Sequence, residues 1–140
     1  MNPVPFDLLS IEGDGFHLVI EAMLNGRPAL MLVDTGASRT VFDQDRIRHF
    51  IPDFVLHPTD KASTGLGTDS MASHLSKLDK LEIGDLCIRD LEIVLLDLVH
   101  VNQSYASIGL MAIDGVLGSD LLEAHQAIID YGKKELLFTR

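Results

Sequence analysis

The stretch Leu30-Met31-Leu32-Val33-Asp34-Thr35-Gly36-Ala37-Ser38 sets one carboxylate at the end of an apolar run. The run has the length of a buried strand, and a small polar turn stops it. A carboxylate at such a place is costly unless it is hydrogen-bonded or shares a proton. Thr35 and Ser38 bring hydroxyls close, and Gly36 lets the backbone turn tightly enough for amide N–H groups to approach. Read alone, Asp-Thr-Gly is an Asx-type turn at a strand end. Beside a second carboxylate it becomes chemistry: of two carboxylates sharing one proton, one activates a water while the other holds or donates the proton. The chain has no second Asp-Thr-Gly or Asp-Ser-Gly. Ser63-Thr64-Gly65 lacks the acid and Asp114-Gly115 lacks the hydroxyl residue. The simplest source of an equivalent Asp is a second copy of the chain, related by a two-fold axis.

Other chemistries have weaker support. The six histidines (His17, His49, His57, His74, His100 and His125) include no pair at two-ligand helical spacing and accompany no cysteine cluster, so no metal site is expected. Asp43-Gln44-Asp45 lacks the glycine and terminal glutamate of a calcium loop and reads as helix capping. Gly65-Leu66-Gly67 has no lysine behind it and no helix after it, which argues against phosphate binding. Gly-x-Ser-x-Gly is absent, and Ser38 has no evident base. Cys87 lies in an apolar strand with only Arg89 as a nearby cation, and reads as a buried structural thiol. Asn102-Gln103-Ser104 matches a glycosylation acceptor but carries little meaning without a secretory signal. No cofactor is expected.

The elements that must position Asp34 are short strands. Phe6 to Glu12 reads as the first, with Gly13-Asp14-Gly15 as its turn. Phe16 to Leu24 and Arg27 to Val33 flank Asn25-Gly26, the strongest two-residue hairpin signal. Thr40-Val41-Phe42 is a short extended piece. Asp43 opens a short helix through Phe50, stopped by Pro52. Leu56 to His74 is the least hydrophobic segment and reads as two arms around a glycine-rich tip at Gly65-Leu66-Gly67. Leu75 to Ile83 and Leu86 to Leu96 flank the turn Gly84-Asp85. Asp97 to Gly109 has no clear period and reads as a loop with one helical turn. Ala112 to Gly118 is a second apolar strand, Ser119 caps a helix over about Asp120 to Glu123, and Ala127 to Tyr131 and Glu135 to Phe138 close the chain around Gly132-Lys133-Lys134. Many short strands with close turn signals make an all-β barrel or sandwich with one or two short helices.

Composition narrows the function. A chain of 140 residues that is 46% hydrophobic forms one domain with an aliphatic core. A formal charge of −10 speaks against nucleic acid and against an anionic membrane surface as partners. The single cysteine allows no internal disulfide and fits a reducing compartment. No signal peptide precedes the first strand and no apolar run is long enough to cross a bilayer, so a cytoplasmic location is expected.

With these residues in view, Leu32-Val33-Asp34-Thr35-Gly36-Ala37-Ser38 resembles the active-site motif of aspartic proteases. A single copy on a chain of this length is similar to the retropepsin-like branch, which works as a homodimer. The segment around Gly65, Leu66 and Gly67 falls where that family has its flap. Val116-Leu117-Gly118 resembles the glycine motif that wraps beside the active-site loop, and Ile113 to Leu122 is similar to cellular, mainly bacterial, members. The resemblance implies a closed acid-protease β-barrel over residues 1–140. Asp34 from each of two chains would form the dyad. Thr35 would brace the two loops, Gly36 would keep the backbone close, and Ala37 and Ser38 would complete the turn. Gly65 to Gly67 would close over an extended peptide by strand pairing. The competing expectation is a module of the same fold that binds or scaffolds without cleaving.

Overall fold

The computed structural model describes residues 2–11, 13, 15–52, the backbone of 57–58, and 74–140. The strands are β1 (Val4–Pro5), β2 (Asp7–Ser10), β3 (Phe16–Leu24), β4 (Arg27–Val33), β5 (Val41–Asp43), β6 (His57–Pro58), β7 (His74–Ile83), β8 (Leu86–Leu96), β9 (Gly115–Leu117), β10 (Ala127–Asp130) and β11 (Glu135–Phe138). A 3-10 turn spans Arg46–His49. Helix α1 covers Val99–Ser107 and α2 covers Ser119–Ala124. The bounds of β3, β4, β8 and β11 coincide with those expected from alternation and turn residues. Asn25 and Gly26 have φ of 50° and 81°. These are the left-handed conformations a two-residue hairpin needs to match strand twist.

Six strands close into a ring. β3 pairs with β4, β4 runs parallel to β9, β9 is antiparallel to β5, β5 is parallel to β8, β8 is antiparallel to β7, and β7 returns to β3. Closure removes the exposed edges that an open sheet would present. The seam between β3 and β7 is short, with Met23 opposite Glu82 and Leu24 opposite Leu81. Asn25 fastens it from both sides: its N–H donates to the Lys80 carbonyl (2.9 Å) and its side-chain oxygen accepts from the Lys80 N–H (3.0 Å). Inside the ring, Ile20, Leu24, Met31, Phe42, Leu81 and Leu117 are buried to 1% exposure or less. Each such side chain is worth about 1.5–3 kcal/mol of burial. A separate three-stranded sheet, in the order β1-β11-β10, joins the chain's two ends.

Several elements differ from the sequence expectation. The first strand is two: β1 precedes Phe6, because Val4 and Pro5 pair with Leu136 and Glu135 from the far end of the chain. Residues 97–109 are not a loop with one turn but contain the nine-residue helix α1. Tertiary packing holds it: Tyr105, 2% exposed, sits against Leu98, Ile113 and Val116. Asn102 clasps the Ile113 backbone, accepting from its N–H (2.8 Å) and donating to its carbonyl (3.2 Å). Ser119 does not cap α2 but is its first residue, and its N–H donates to the Ala37 carbonyl (2.7 Å). The helix after Asp43 is a 3-10 turn, with the Asp43 Oδ2 accepting from the Arg46 N–H (2.9 Å). Cys87 is exposed, not buried, because the first half of β8 alternates outward.

Among the described residues two carboxylates are buried, and both are fully engaged. Asp114, 5% exposed, accepts from Arg46 Nε (2.7 Å) and from the Leu30 N–H (2.9 Å). The Asp43 Oδ1 accepts from the Leu98 N–H (2.8 Å). Together they tie β4, β5, the 3-10 turn and the entry to α1. Among the described residues no helix is long and apolar enough to cross a membrane.

Candidate active site

Asp34 follows the last residue of β4, where Ala29, Met31 and Val33 face the core and their neighbours are more open. The strand register carries its backbone to β9: the Asp34 N–H donates to the Leu117 carbonyl (2.9 Å), continuing the parallel pairing of Val33 with Leu117. Its carboxylate is turned by its own loop. Oδ1 accepts from the Gly36 N–H (2.9 Å), and the Asp34 carbonyl accepts from the Ala37 N–H (3.2 Å). A Cβ on residue 36 would lie 3.3 Å from that Oδ1. Gly36 therefore keeps the turn tight around the carboxylate. Asp34, Thr35, Gly36 and Ser38 are exposed and Ala37 is half-buried.

The loop is zipped along its length to the segment after β9. At one end stands the Asp34–Leu117 bond. In the middle, Ala37 accepts from Ser119. At the far end buried Thr40 meets Asp120: the Thr40 N–H donates to both carboxylate oxygens (2.9 and 3.0 Å), and its hydroxyl donates to Oδ1 (2.7 Å). The same hydroxyl accepts from the Gly118 N–H (3.0 Å). Gly118 is where the two segments nearly touch. A Cβ there would lie 2.7 Å from the Arg39 carbonyl carbon and oxygen and 2.9 Å from the Ala37 carbonyl oxygen. The glycine motif Val116-Leu117-Gly118 is thus buried against the Asp34 loop. Gly65, Leu66 and Gly67 lie outside the described residues.

Beside Asp34 is a recess of about 280 Å³, lined by Phe16, His17 and Leu18 of β3, by Leu32 to Thr35, and by Ile129 and Tyr131 of the terminal hairpin. Sequence reasoning missed Thr40, Asp120, His17 and Tyr105. Thr40 and Asp120 are eighty residues apart, and no local pattern joins them. Among the described residues no group of three or more His, Cys, Asp or Glu side chains is arranged to hold a metal ion.

A family model described as aspartyl protease matches residues 20–121. The chain belongs to the aspartyl protease family. No curated protein is matched by sequence alone. Solved structures share the fold. The retroviral protease-like domain of Ddi1 from Leishmania major is 15% identical, with 87% of each chain covered and a TM-score of 0.58. A retropepsin-like aspartic protease from Rickettsia conorii is 22% identical over 98% of this chain and 92% of that one, with a TM-score of 0.57. The EIAV protease, solved with the inhibitor HBY-793, is 16% identical over 80% of this chain and 90% of that one, with a TM-score of 0.52. The ring of six strands and the two short helices form a closed, retropepsin-like barrel, as the sequence resemblance implied. The matched span of this family member includes both zipped segments, from β3 through Leu121.

Proposed function

We propose that the chain is an aspartic endopeptidase whose active site is completed by a second copy. The observation that supports this most is the Asp34 carboxylate, exposed at the end of a buried strand, oriented by the Gly36 N–H and held in a loop tied to residues 117–120. A single carboxylate cannot act as base and acid at once. Two Asp34 residues facing each other across a two-fold axis, with one proton between them, can. The ionised Asp34 takes a proton from water as the water oxygen adds to the peptide carbonyl carbon, and the protonated partner donates to the carbonyl oxygen. Collapse of the tetrahedral diol breaks the C–N bond and the amine leaves with a proton from the dyad. Thr35 braces the two loops, and Gly36, Ala37 and Ser38 hold the turn. Gly65, Leu66 and Gly67 cover an extended peptide, and residues 1–140 act as one domain.

The test is cleavage of an unbiased peptide mixture by the wild type and by Asp34→Asn. The substitution keeps the Oδ1 acceptor and leaves circular dichroism and melting unchanged, while cleavage is lost. Cleavage should be faster at mildly acidic than at alkaline pH, because a dyad without its shared proton has no acid. Undiminished cleavage by Asp34→Asn, or a strict monomer by light scattering at high concentration in a cleaving sample, removes the proposed role of the pair.

A further inference from the structure

We infer that His17 is a specificity-determining residue: its Nε2–H is a hydrogen-bond donor at the recess beside Asp34, and it selects a peptide residue with an apolar stem and an uncharged oxygen acceptor, glutamine foremost. The inference rests on the protease reading above.

Phe16 and Leu18 of β3 and Ile129 of the terminal hairpin give the recess beside Asp34 apolar patches, set among its polar lining. Its volume suits one large side chain. Thr35 and Tyr131 bring hydroxyls to the recess, and His17 brings an imidazole N–H fixed by the ring that carries it. The ring does not choose its own tautomer. Nδ1 of His17 lies 2.7 Å from the Tyr105 hydroxyl. Tyr105 comes from α1, is 2% exposed and sits among apolar side chains. Burial pushes its pKa up, so the phenol keeps its proton. Among the described residues His17 is the only hydrogen-bond partner of that hydroxyl. If Nδ1 carried the proton, the phenol hydrogen would be buried without an acceptor, a cost of about 1–3 kcal/mol. The hydroxyl therefore donates to Nδ1, and the neutral ring carries its proton on Nε2. That N–H has no partner among the described residues.

A fixed donor beside apolar patches selects an acceptor at the end of an apolar stem. Leucine covers the patches and leaves the donor unpaired. Glutamate would bring a second negative charge beside Asp34 on a chain of formal charge −10. Glutamine reaches the donor without that repulsion. Tyr105 acts through His17 as a positioning residue.

The experiment uses a peptide series in which each position in turn is glutamine or leucine, cleaved by the wild type, His17→Leu, His17→Gln, Tyr105→Phe and Asp34→Asn. At one position the ratio of kcat/KM for glutamine over leucine falls about three- to tenfold in His17→Leu, with cleavage of the leucine peptide retained. It falls less in His17→Gln, which keeps an amide donor. Imidazole ¹⁵N shifts in the intact protein report the Nε2–H tautomer in the wild type and a mixture of tautomers in Tyr105→Phe. An unchanged ratio at every position in cleaving His17→Leu, or a dominant Nδ1–H tautomer in the wild type, overturns the inference and leaves the protease reading standing. No cleavage by the wild type overturns both, and cleavage that survives Asp34→Asn identifies the protease reading as the one that failed.

Discussion

Single residues set the tightest constraints. Gly118 has ordinary backbone dihedrals, so its requirement is one of space: a methyl group would meet the carbonyls of Ala37 and Arg39 at under 3 Å. Backbone cannot rotate out of the way as a side chain can. Gly118→Ala should cost about 1–3 kcal/mol or more in urea unfolding, and should lower activity further by shifting the Asp34 loop. Tyr105 makes a different demand. Its buried phenol has a pKa raised above the ordinary 10.0 by desolvation. Neutral phenol is thus favoured in the fold. Its stabilising contribution is whole below about pH 10 and is lost as pH rises through the raised value, when the unfolded chain ionises first. Melting followed from pH 9 upward should show an alkaline decline of at most about 1.4 kcal/mol per pH unit from this group. Tyr105→Phe should lack that share of the decline, at a lower starting stability because Nδ1 of His17 loses its donor.

Elements decide how far the sequence could be read. Strands β3, β4, β8 and β11 were legible because their signals are local: alternation within the strand and a turn residue at its end. The Asp34 turn was legible for the same reason, since Gly36 and Asp34 lie two residues apart. Helix α1 was not. Val99 and Val101 are poor helix formers, and what holds the helix is Tyr105 in a distant apolar cluster and Asn102 on the Ile113 backbone. Two parallel pairings were equally hidden, because β4 meets β9 only after eighty intervening residues have returned the chain. The exposed Cys87 escaped because apolar neighbours in sequence do not say which face of a barrel strand looks out. The clamp between Thr40 and Asp120 belongs to this scale, since it joins the end of one loop to the start of α2. Asp120→Ala strands the Thr40 N–H and hydroxyl in a buried place. It should cost about 1–3 kcal/mol, measured by denaturant, and Asp120→Asn should recover part of the loss.

At the scale of the molecule, the barrel is complete in one chain but the proposed chemistry is not. The terminal sheet brings Ile129 and Tyr131 to the recess that Asp34 lines, and Tyr131 is 59% exposed. In the proposed pair, a two-fold axis near Asp34 would bring this hairpin close to its symmetry mate, so any charge placed there would be met by its own copy. Tyr131→Glu should weaken the pair. Light scattering would show the shift to monomer, and specific activity would recover as protein concentration rises. Tyr131→Phe should leave association close to wild type.

The parallel register of β4 on β9 also has a meaning in time. Asp34 is made early, but the carbonyl that receives its N–H belongs to Leu117, and the clamp at the far end of its loop waits for Asp120. A ribosome must add more than eighty residues before the loop has anything to lean on. Contacts of such long sequence separation form late, after loop closure has been overcome. A nascent or truncated chain therefore displays the Asp-Thr-Gly sequence without its geometry, and the order of synthesis itself delays the assembly of the Asp34 loop until the barrel around it is shut.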